Sequence, residues 1–155
     1  MEKKILLAVD NSRHSRNAIH YAVHVSSFVK NLHYVLFNIQ PAISLFLKDE
    51  AKKSLTVKSQ LENVVKKNKE TALELLENYK SEMVQMGIVS DRIETVTRTK
   101  KLGLGKDIID FGQSRNFDCI VIGRRGLSRI QEMYMGRVSR CIINRISNRA
   151  LWIVT

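Results

Sequence analysis

Short, uninterrupted apolar runs alternate along this chain with longer segments of helical periodicity. The runs cover residues 5–9, 33–39, 118–122 and 150–154, and a period-two stretch covers residues 92–97. A short apolar run without polar alternation is typical of a strand buried on both faces, as in parallel sheets. The alternation therefore predicts a single doubly wound α/β domain over residues 1–155, with a five-stranded parallel sheet and helices on both faces.

The segments between the strands predict four helices, over residues 12–30, 58–86, 108–116 and 138–146. Gly87 is expected to end the second of them, and Gly103 and Gly105 are expected to lie in a loop. The period-two strand is expected near an edge of the sheet. Residues 42–57 are compatible with two interpretations, a short helical lid or a loop that packs on the sheet.

The composition is that of an ordinary globular protein. The 155 residues are 44% hydrophobic and 26% charged, which excludes a disordered chain. No apolar run approaches the ~20 residues that a bilayer-spanning helix needs, so no membrane partner is expected. The first apolar run is too short for a signal peptide, and two cysteines without metal-ligand spacing suggest a reducing compartment. A cytoplasmic location is therefore expected.

The net charge of +11 is unusual, and residues 123–149 carry about half of it. Between residues 123 and 149 there are seven arginines and one acid, Glu132. A basic excess attracts polyanions, which include nucleic acids, anionic lipids and phosphorylated small molecules. No helix-turn-helix, zinc or aromatic-basic motif accompanies it, so nucleic acid is not the expected partner.

Three segments are expected at the carboxyl edge of the sheet, where doubly wound folds bind ligands. They follow the first, second and fourth strands and cover residues 10–12, 38–41 and 123–126. Gly123 and Gly126 allow a tight turn close to a ligand. Gly136 opens a helix, whose free N–H groups favour phosphate. A strand followed by such a loop is the context that a phosphate-binding motif needs.

These segments together resemble the universal stress protein family. The first strand ends in Val9-Asp10-Asn11-Ser12, and the fourth strand leads into glycines at the family's Gly-x2-Gly-x9-Gly spacing. The resemblance covers nearly the whole chain. It implies a Rossmann-like fold of the adenine nucleotide alpha-hydrolase type with strand order 3-2-1-4-5. It further implies a stress-response regulatory protein that binds ATP or AMP, with Mg²⁺ as a candidate companion.

The family's binding residues carry over onto matching positions of this chain. Asp10 and the backbone near Ile39 would meet adenine, Gly123 to Gly126 the ribose and first phosphates, and Gly136 with the residues after it the outer phosphates. The implied nucleotide-binding residues are Ala8, Asp10, Ile39, Ile122, Gly123, Arg125, Gly126, Gly136, Arg137, Val138 and Ser139. Arg137 replaces the family's Ser or Thr. Its guanidinium is suited to clamp phosphate or to replace a metal ion, but its bulk is also suited to fill the pocket.

Other interpretations remain open for several of these residues. Asp10 is equally suited to cap the first helix, and the glycines to form simple turns. The alternatives for function are a stress protein that works through protein or polyanion partners without nucleotide, and a slow ATPase. Efficient catalysis is not expected, since no metal-binding carboxylate is placed near the outer phosphates.

Two further features concern metals and assembly. His20 and His24 share a helix face, but no third ligand completes a metal site, so surface histidines and no bound metal are expected. Family members commonly pair their last strands. The resemblance therefore implies a homodimer through residues 150–154, with Trp152 in the core or at the interface.

Overall fold

The computed structural model describes residues 2–124 and 136–155, and it contains one parallel five-stranded sheet of order β3-β2-β1-β4-β5. The elements in chain order are β1 Lys3–Ala8, α1 Arg13–Ser26, β2 Leu32–Gln40, α2 Leu45–Lys53, α3 Leu55–Gln85, β3 Ile93–Thr99, α4 Leu104–Ser114, β4 Cys119–Gly123, α5 Arg137–Ile143 and β5 Ala150–Val154. A short 3-10 turn, Ser90–Arg92, precedes β3. The predicted strand order and the edge position of the third strand are confirmed.

The two faces of the sheet bury separate hydrophobic clusters, because successive strand residues point to opposite sides. Leu7 and Leu36 face α1 and α3, while Leu6 and Phe37 face α4 and α5. Cys119 is buried on the first of these faces, and burial raises the pKa of its thiol to about 12. All strand pairs are parallel, so the carboxyl ends of the strands meet at one edge.

Two predicted helices end earlier than their sequence pattern suggests. α1 ends at Ser26 rather than Lys30, where the Ser26 hydroxyl bonds to the Ala22 carbonyl and to Tyr34. The chain then turns into β2 through Asn31, whose φ is 60°. α5 ends at Ile143 rather than Ile146. In both places the chain turns toward the next strand although apolar residues at helical spacing continue beyond the end of the helix.

Residues 42–57, for which the sequence allowed two interpretations, are mostly helical. Ser44 caps α2, and Ser54 both ends α2 and caps α3, which begins three residues before its predicted start. α2 packs against α3 rather than on the sheet, and none of its residues is buried. The helix of the first interpretation is therefore confirmed, its role as a lid stays a prediction, and the packed-loop interpretation is wrong.

The prediction that Gly103 and Gly105 share a loop is half wrong. Gly103 precedes α4 with a φ of 129°, as a glycine in a loop can. Gly105 instead lies inside α4 and is buried. A Cβ there would lie 2.7 Å from the Cβ of Cys141, so this glycine allows α4 and α5 to approach closely.

Candidate functional site at the carboxyl edge of the sheet

The carboxyl edge of β1 lies between β2 and β4, where the strand order reverses. Ala8 ends β1 and pairs with Phe37 on one side and Ile122 on the other. Ala8, Ile39 and Ile122 all contribute to the face of the sheet that α4 and α5 cover. Such a reversal point is where doubly wound folds open a crevice for ligands. Three of the predicted site residues therefore lie around it.

Asp10 is held by hydrogen bonds from the first turn of α1. The Ser15 hydroxyl donates to the Asp10 carboxylate over 2.7 Å, and the Asp10 backbone N–H donates to the same Ser15 oxygen over 2.9 Å. The helix cap itself is Ser12, whose hydroxyl oxygen accepts from the Ser15 N–H. The capping role that the sequence allowed for Asp10 therefore belongs to Ser12.

Two distant residues further fix the segment that leaves β1. The Tyr79 hydroxyl on α3 donates to the Asp10 carbonyl over 2.9 Å, and the Asn38 amide donates to the Val9 carbonyl over the same distance. Burial raises the pKa of Tyr79, so this hydroxyl keeps its proton and remains a donor at neutral pH. Asp10 thus stands on a segment held from α1, α3 and β2.

Gly123 ends β4 directly against the first turn of α1. A Cβ at this position would lie 2.7 Å from the carbonyl carbon of His14 and 2.8 Å from its oxygen. Real Cβ atoms do not approach backbone this closely, so only glycine fits. The ring of His14 lies in the same turn, and its Nδ1 is buried without a hydrogen-bond partner in the described part of the chain.

The first turn of α5 lies beside the end of β4. Ser139 is buried, and its hydroxyl donates to the Arg124 carbonyl over 3.1 Å. Arg137 is exposed and Val138 is half-buried. The Gly136 carbonyl accepts the first hydrogen bond of the helix, from the Arg140 N–H. The exposed Arg137 side chain therefore does not pack into the core. Arg125 and Gly126 lie outside the described residues.

Several residues of this edge were not predicted from sequence to belong to the site. Ser15 and Tyr79 hold Asp10, and Asn38 holds Val9. A serine three residues after Ser12, at the spacing of a helix cap and its partner, was a signal that could have indicated Ser15. Tyr79 carried no such signal, because it lies 69 residues from Asp10.

The other features singled out from the sequence lie elsewhere. His20 pairs with Glu82 of α3 over 3.2 Å, and no cluster of three metal-ligating side chains occurs within residues 2–124 and 136–155. No helix in the described part of the chain is long and apolar enough to cross a bilayer. A polar cavity of about 500 Å³ opens at the opposite, amino edge, lined in part by Lys4, Tyr34 and Arg92. It contains none of the predicted site residues.

Comparison with solved structures finds the same fold over nearly complete chains. Universal stress protein UspA from Lactobacillus plantarum is 13% identical with a TM-score of 0.76, covering 99% of this chain and 97% of its own. A universal stress protein in complex with cAMP is 17% identical with a TM-score of 0.70, covering 99% and 97%. The universal stress protein from Archaeoglobus fulgidus in complex with dAMP is 16% identical with a TM-score of 0.61, covering 100% and 98%.

Family membership follows from the sequence itself. No curated protein matches the chain significantly. The model of the universal stress protein family, by contrast, matches residues 1–151, which is almost the full length and includes both the Asp10 segment and all three spaced glycines. The chain belongs to the universal stress protein family.

Proposed function

We propose that this protein binds an adenine nucleotide at the carboxyl edge of its sheet and acts as a regulatory protein in the stress response. The observation that carries the proposal is the grouping of Ala8, Asp10, Ile122 and Gly123 around the reversal point between β1 and β4. Two solved structures with this fold hold cAMP and dAMP, which supports an adenine nucleotide as the ligand class.

Each part of the nucleotide has an assigned partner in this proposal. The Asp10 carboxylate and the backbone near Ile39 bind adenine, since a carboxylate accepts hydrogen bonds from an amine. The stretch from Gly123 through Arg125 to Gly126 holds the ribose and first phosphates. Gly136, Arg137 and Val138 hold the outer phosphates of ATP, with Mg²⁺ as a candidate companion. Ser139 supports this turn through its bond to Arg124.

Arg137 decides which nucleotide fits best. An exposed guanidinium beside the outer phosphates can pair with them bidentately, which favours ATP over AMP. The variant Arg137→Ser restores the family residue. If Arg137 clamps phosphate, the variant binds ATP more weakly while its affinity for AMP is unchanged. Stronger ATP binding by the variant would show that the arginine obstructs the site.

The first experiment is to purify the protein without added nucleotide, denature it, and identify any released adenine nucleotide by chromatography and mass. Titration calorimetry with ATP and AMP then tests Asp10→Asn and Gly126→Val, both expected to lose affinity by tenfold or more. Asp91→Asn is the matched control, because Asp91 lies by the cavity at the amino edge. An empty protein whose melting temperature ignores ATP and AMP would refute nucleotide binding.

We also propose a cytoplasmic homodimer that pairs through β5. This strand lies at one edge of the sheet, and all of its apolar residues after Ala150 are only half-buried. An edge strand offers unpaired backbone groups to a second strand, and a twofold dimer uses the same strand from both copies.

A further inference from the structure

A long part of this chain projects away from the sheet. No residue between 41 and 71 is buried, and the buried residues of α3 begin only at Ala72. α2 and the first half of α3 therefore form a helical arm, residues 45–71, whose second helix alone extends roughly 25 Å. Because α2 follows the end of β2, the arm leaves the body at the carboxyl edge of the sheet.

The arm exposes large apolar side chains that a free solvated helix would not carry. Leu45 is 77% exposed, Phe46 is 72% exposed, and Leu55, where α2 turns into α3, is 86% exposed. Val64 and Val65 add further exposed apolar surface along α3. Single exposed apolar residues are common, but a group of them on one projecting segment marks an interaction surface.

The same arm is strongly basic. Seven lysines and four acids lie between residues 45 and 71. Three of the lysines pair with acids one turn away in exposed positions, Lys52 with Asp49, Lys53 with Glu50 and Lys66 with Glu70. The remaining lysines leave the arm with a net positive charge. Its complement is therefore an anionic surface, and two copies of the arm repel each other.

The order of the apolar residues distinguishes between anionic surfaces. Leu45, Phe46 and Leu47 are consecutive, and consecutive helix residues point about 100° apart. A protein groove recognises anchors at i, i+3, i+4 and i+7 on one helix face. A fluid lipid interface, by contrast, can surround one helical turn on several sides. Leucine, phenylalanine and lysine are also residue types that helices use where they lie in the head-group region.

We infer that the helical arm is a docking surface for a membrane rich in anionic lipid head groups. α2 lies in the interface with Leu45 and Phe46 among the acyl boundary groups. Lys48, Lys52 and Lys58 contact the lipid phosphates. This peripheral contact needs no spanning helix and revises the expectation that no membrane partner exists.

The sequence offers a matched pair of sites for testing this. Phe46-Leu47-Lys48 on the arm and Phe28-Val29-Lys30 just after α1 have the same order of residue types. Phe46 and Phe28 are also similarly exposed, at 72% and 78%. The Phe28 site follows the end of α1 and so lies toward the amino edge, away from the arm. Both pairs can be changed identically, as Phe→Ser with Lys→Gln.

The experiment is flotation of the full chain with vesicles of phosphatidylcholine alone or of equal parts phosphatidylcholine and phosphatidylglycerol. The parent is expected to float only with the anionic vesicles, and less so in high salt. The double variant Phe46→Ser/Lys48→Gln should bind at least about tenfold more weakly. The double variant Phe28→Ser/Lys30→Gln should bind as the parent does, with circular dichroism confirming that both variants fold.

Insertion is measured separately by fluorescence. Vesicles of brominated phosphatidylglycerol should quench the tryptophan fluorescence of Phe46→Trp more strongly than that of Phe28→Trp. Trp152 contributes the same background fluorescence to both variants. Failure of the parent to float with anionic vesicles, or equal losses in the two double variants, would overturn the inference. Retention on immobilised poly-glutamate without vesicle binding would overturn it as well, and would assign the arm to an acidic protein surface.

Discussion

At the scale of single residues, packing between elements shapes the carboxyl edge of the sheet. Gly123 is the first glycine of the family's spacing, and by itself that spacing suggests a phosphate contact. The structure gives a second reason, because the His14 backbone occupies the space that a side chain would need. The glycine thus positions α1, and through Ser12 and Ser15 it determines where Asp10 lies.

This close contact predicts the effect of Gly123→Ala on stability. The added methyl group would meet rigid backbone atoms, so we expect a loss of about 1–3 kcal/mol in the free energy of unfolding. Gly112→Ala is the matched control. Its Cβ would meet the flexible end of the Ile120 side chain at 2.9 Å and lie in ordinary contact with Leu6, and alanine favours the helix there. Guanidinium unfolding measures both variants, and equal midpoints for Gly123→Ala and the parent would contradict this account.

A second residue-scale prediction concerns Tyr79. The variant Tyr79→Phe removes the donor to the Asp10 carbonyl and keeps the ring in the core. We expect a loss of about 1 kcal/mol in stability, together with weaker nucleotide binding because Asp10 is less firmly held. Urea unfolding and calorimetry measure the two effects. Unchanged stability together with unchanged nucleotide affinity would show that this hydrogen bond neither stabilises the fold nor positions Asp10.

At the scale of elements, the edge strand β3 is held to α4 by charge and ring contacts. Arg115 forms a bidentate pair with Glu94 over 2.7 and 2.9 Å, and Arg98 lies 4.6 Å from the centre of the Phe111 ring. The hydrogen bond from Arg115 holds the pKa of Glu94 below its ordinary value. A carboxylate whose pKa falls on folding stabilises the fold above its unfolded pKa, and this contribution disappears as the pH falls through the folded pKa.

The variant Glu94→Gln is therefore expected to be destabilised at pH 7 but not at acid pH. The Glu94 side chain is 49% exposed, so we expect a difference of only about 0.5 kcal/mol at neutral pH. Urea unfolding at neutral pH and at about pH 3, below the ordinary pKa, measures the two values. Glu62→Gln on the exposed arm is the control. Equal losses for Glu94→Gln at both pH values would contradict the role of the ion pair.

The elements also show which parts of the fold the sequence could predict. The buried strands follow from residue type, because short runs rich in Ile and Val, such as β4, favour a sheet covered on both faces. The interior position of Gly105 and the early end of α1 could not be predicted, since they depend on Cys141 and Tyr34 at other elements. For the candidate site, the position of Asp10 after the end of β1 was predictable, whereas the contact from Tyr79 depends on how α3 packs.

At the scale of the whole molecule, the two edges of the sheet carry different chemistry. The carboxyl edge has the candidate nucleotide site and the base of the helical arm, while the amino edge opens the polar cavity beside Arg92. The lateral edges are β3 and β5. Contacts from α4 and its neighbours hold β3 within the monomer, so β5 is the edge at which a second copy is expected to pair.

The backbone of β5 makes this pairing testable. In a parallel strand the N–H and C=O groups of one residue point to the same neighbour. Ala150 and Val154 bond toward β4, through Asp118 and Arg124, so Ile153 directs its backbone groups outward. The variant Ile153→Pro removes an outward N–H and leaves the β4 ladder intact. We expect the parent to sediment as a dimer and this variant as a monomer at the same concentration.

The matched control is a proline at the other lateral edge. Lys100 bonds toward β2 through Gln40, so by the same alternation Thr95 directs its backbone N–H away from the sheet. Thr95→Pro should therefore destabilise an edge strand to a similar extent without changing β5. We expect the Thr95→Pro variant to remain a dimer. Sedimentation velocity over a range of concentrations, with thermal unfolding of both variants, separates dissociation from unfolding. A monomeric parent would refute the homodimer. Equal dissociation of both variants would place the interface elsewhere, because only β5 pairing makes the two edges unequal.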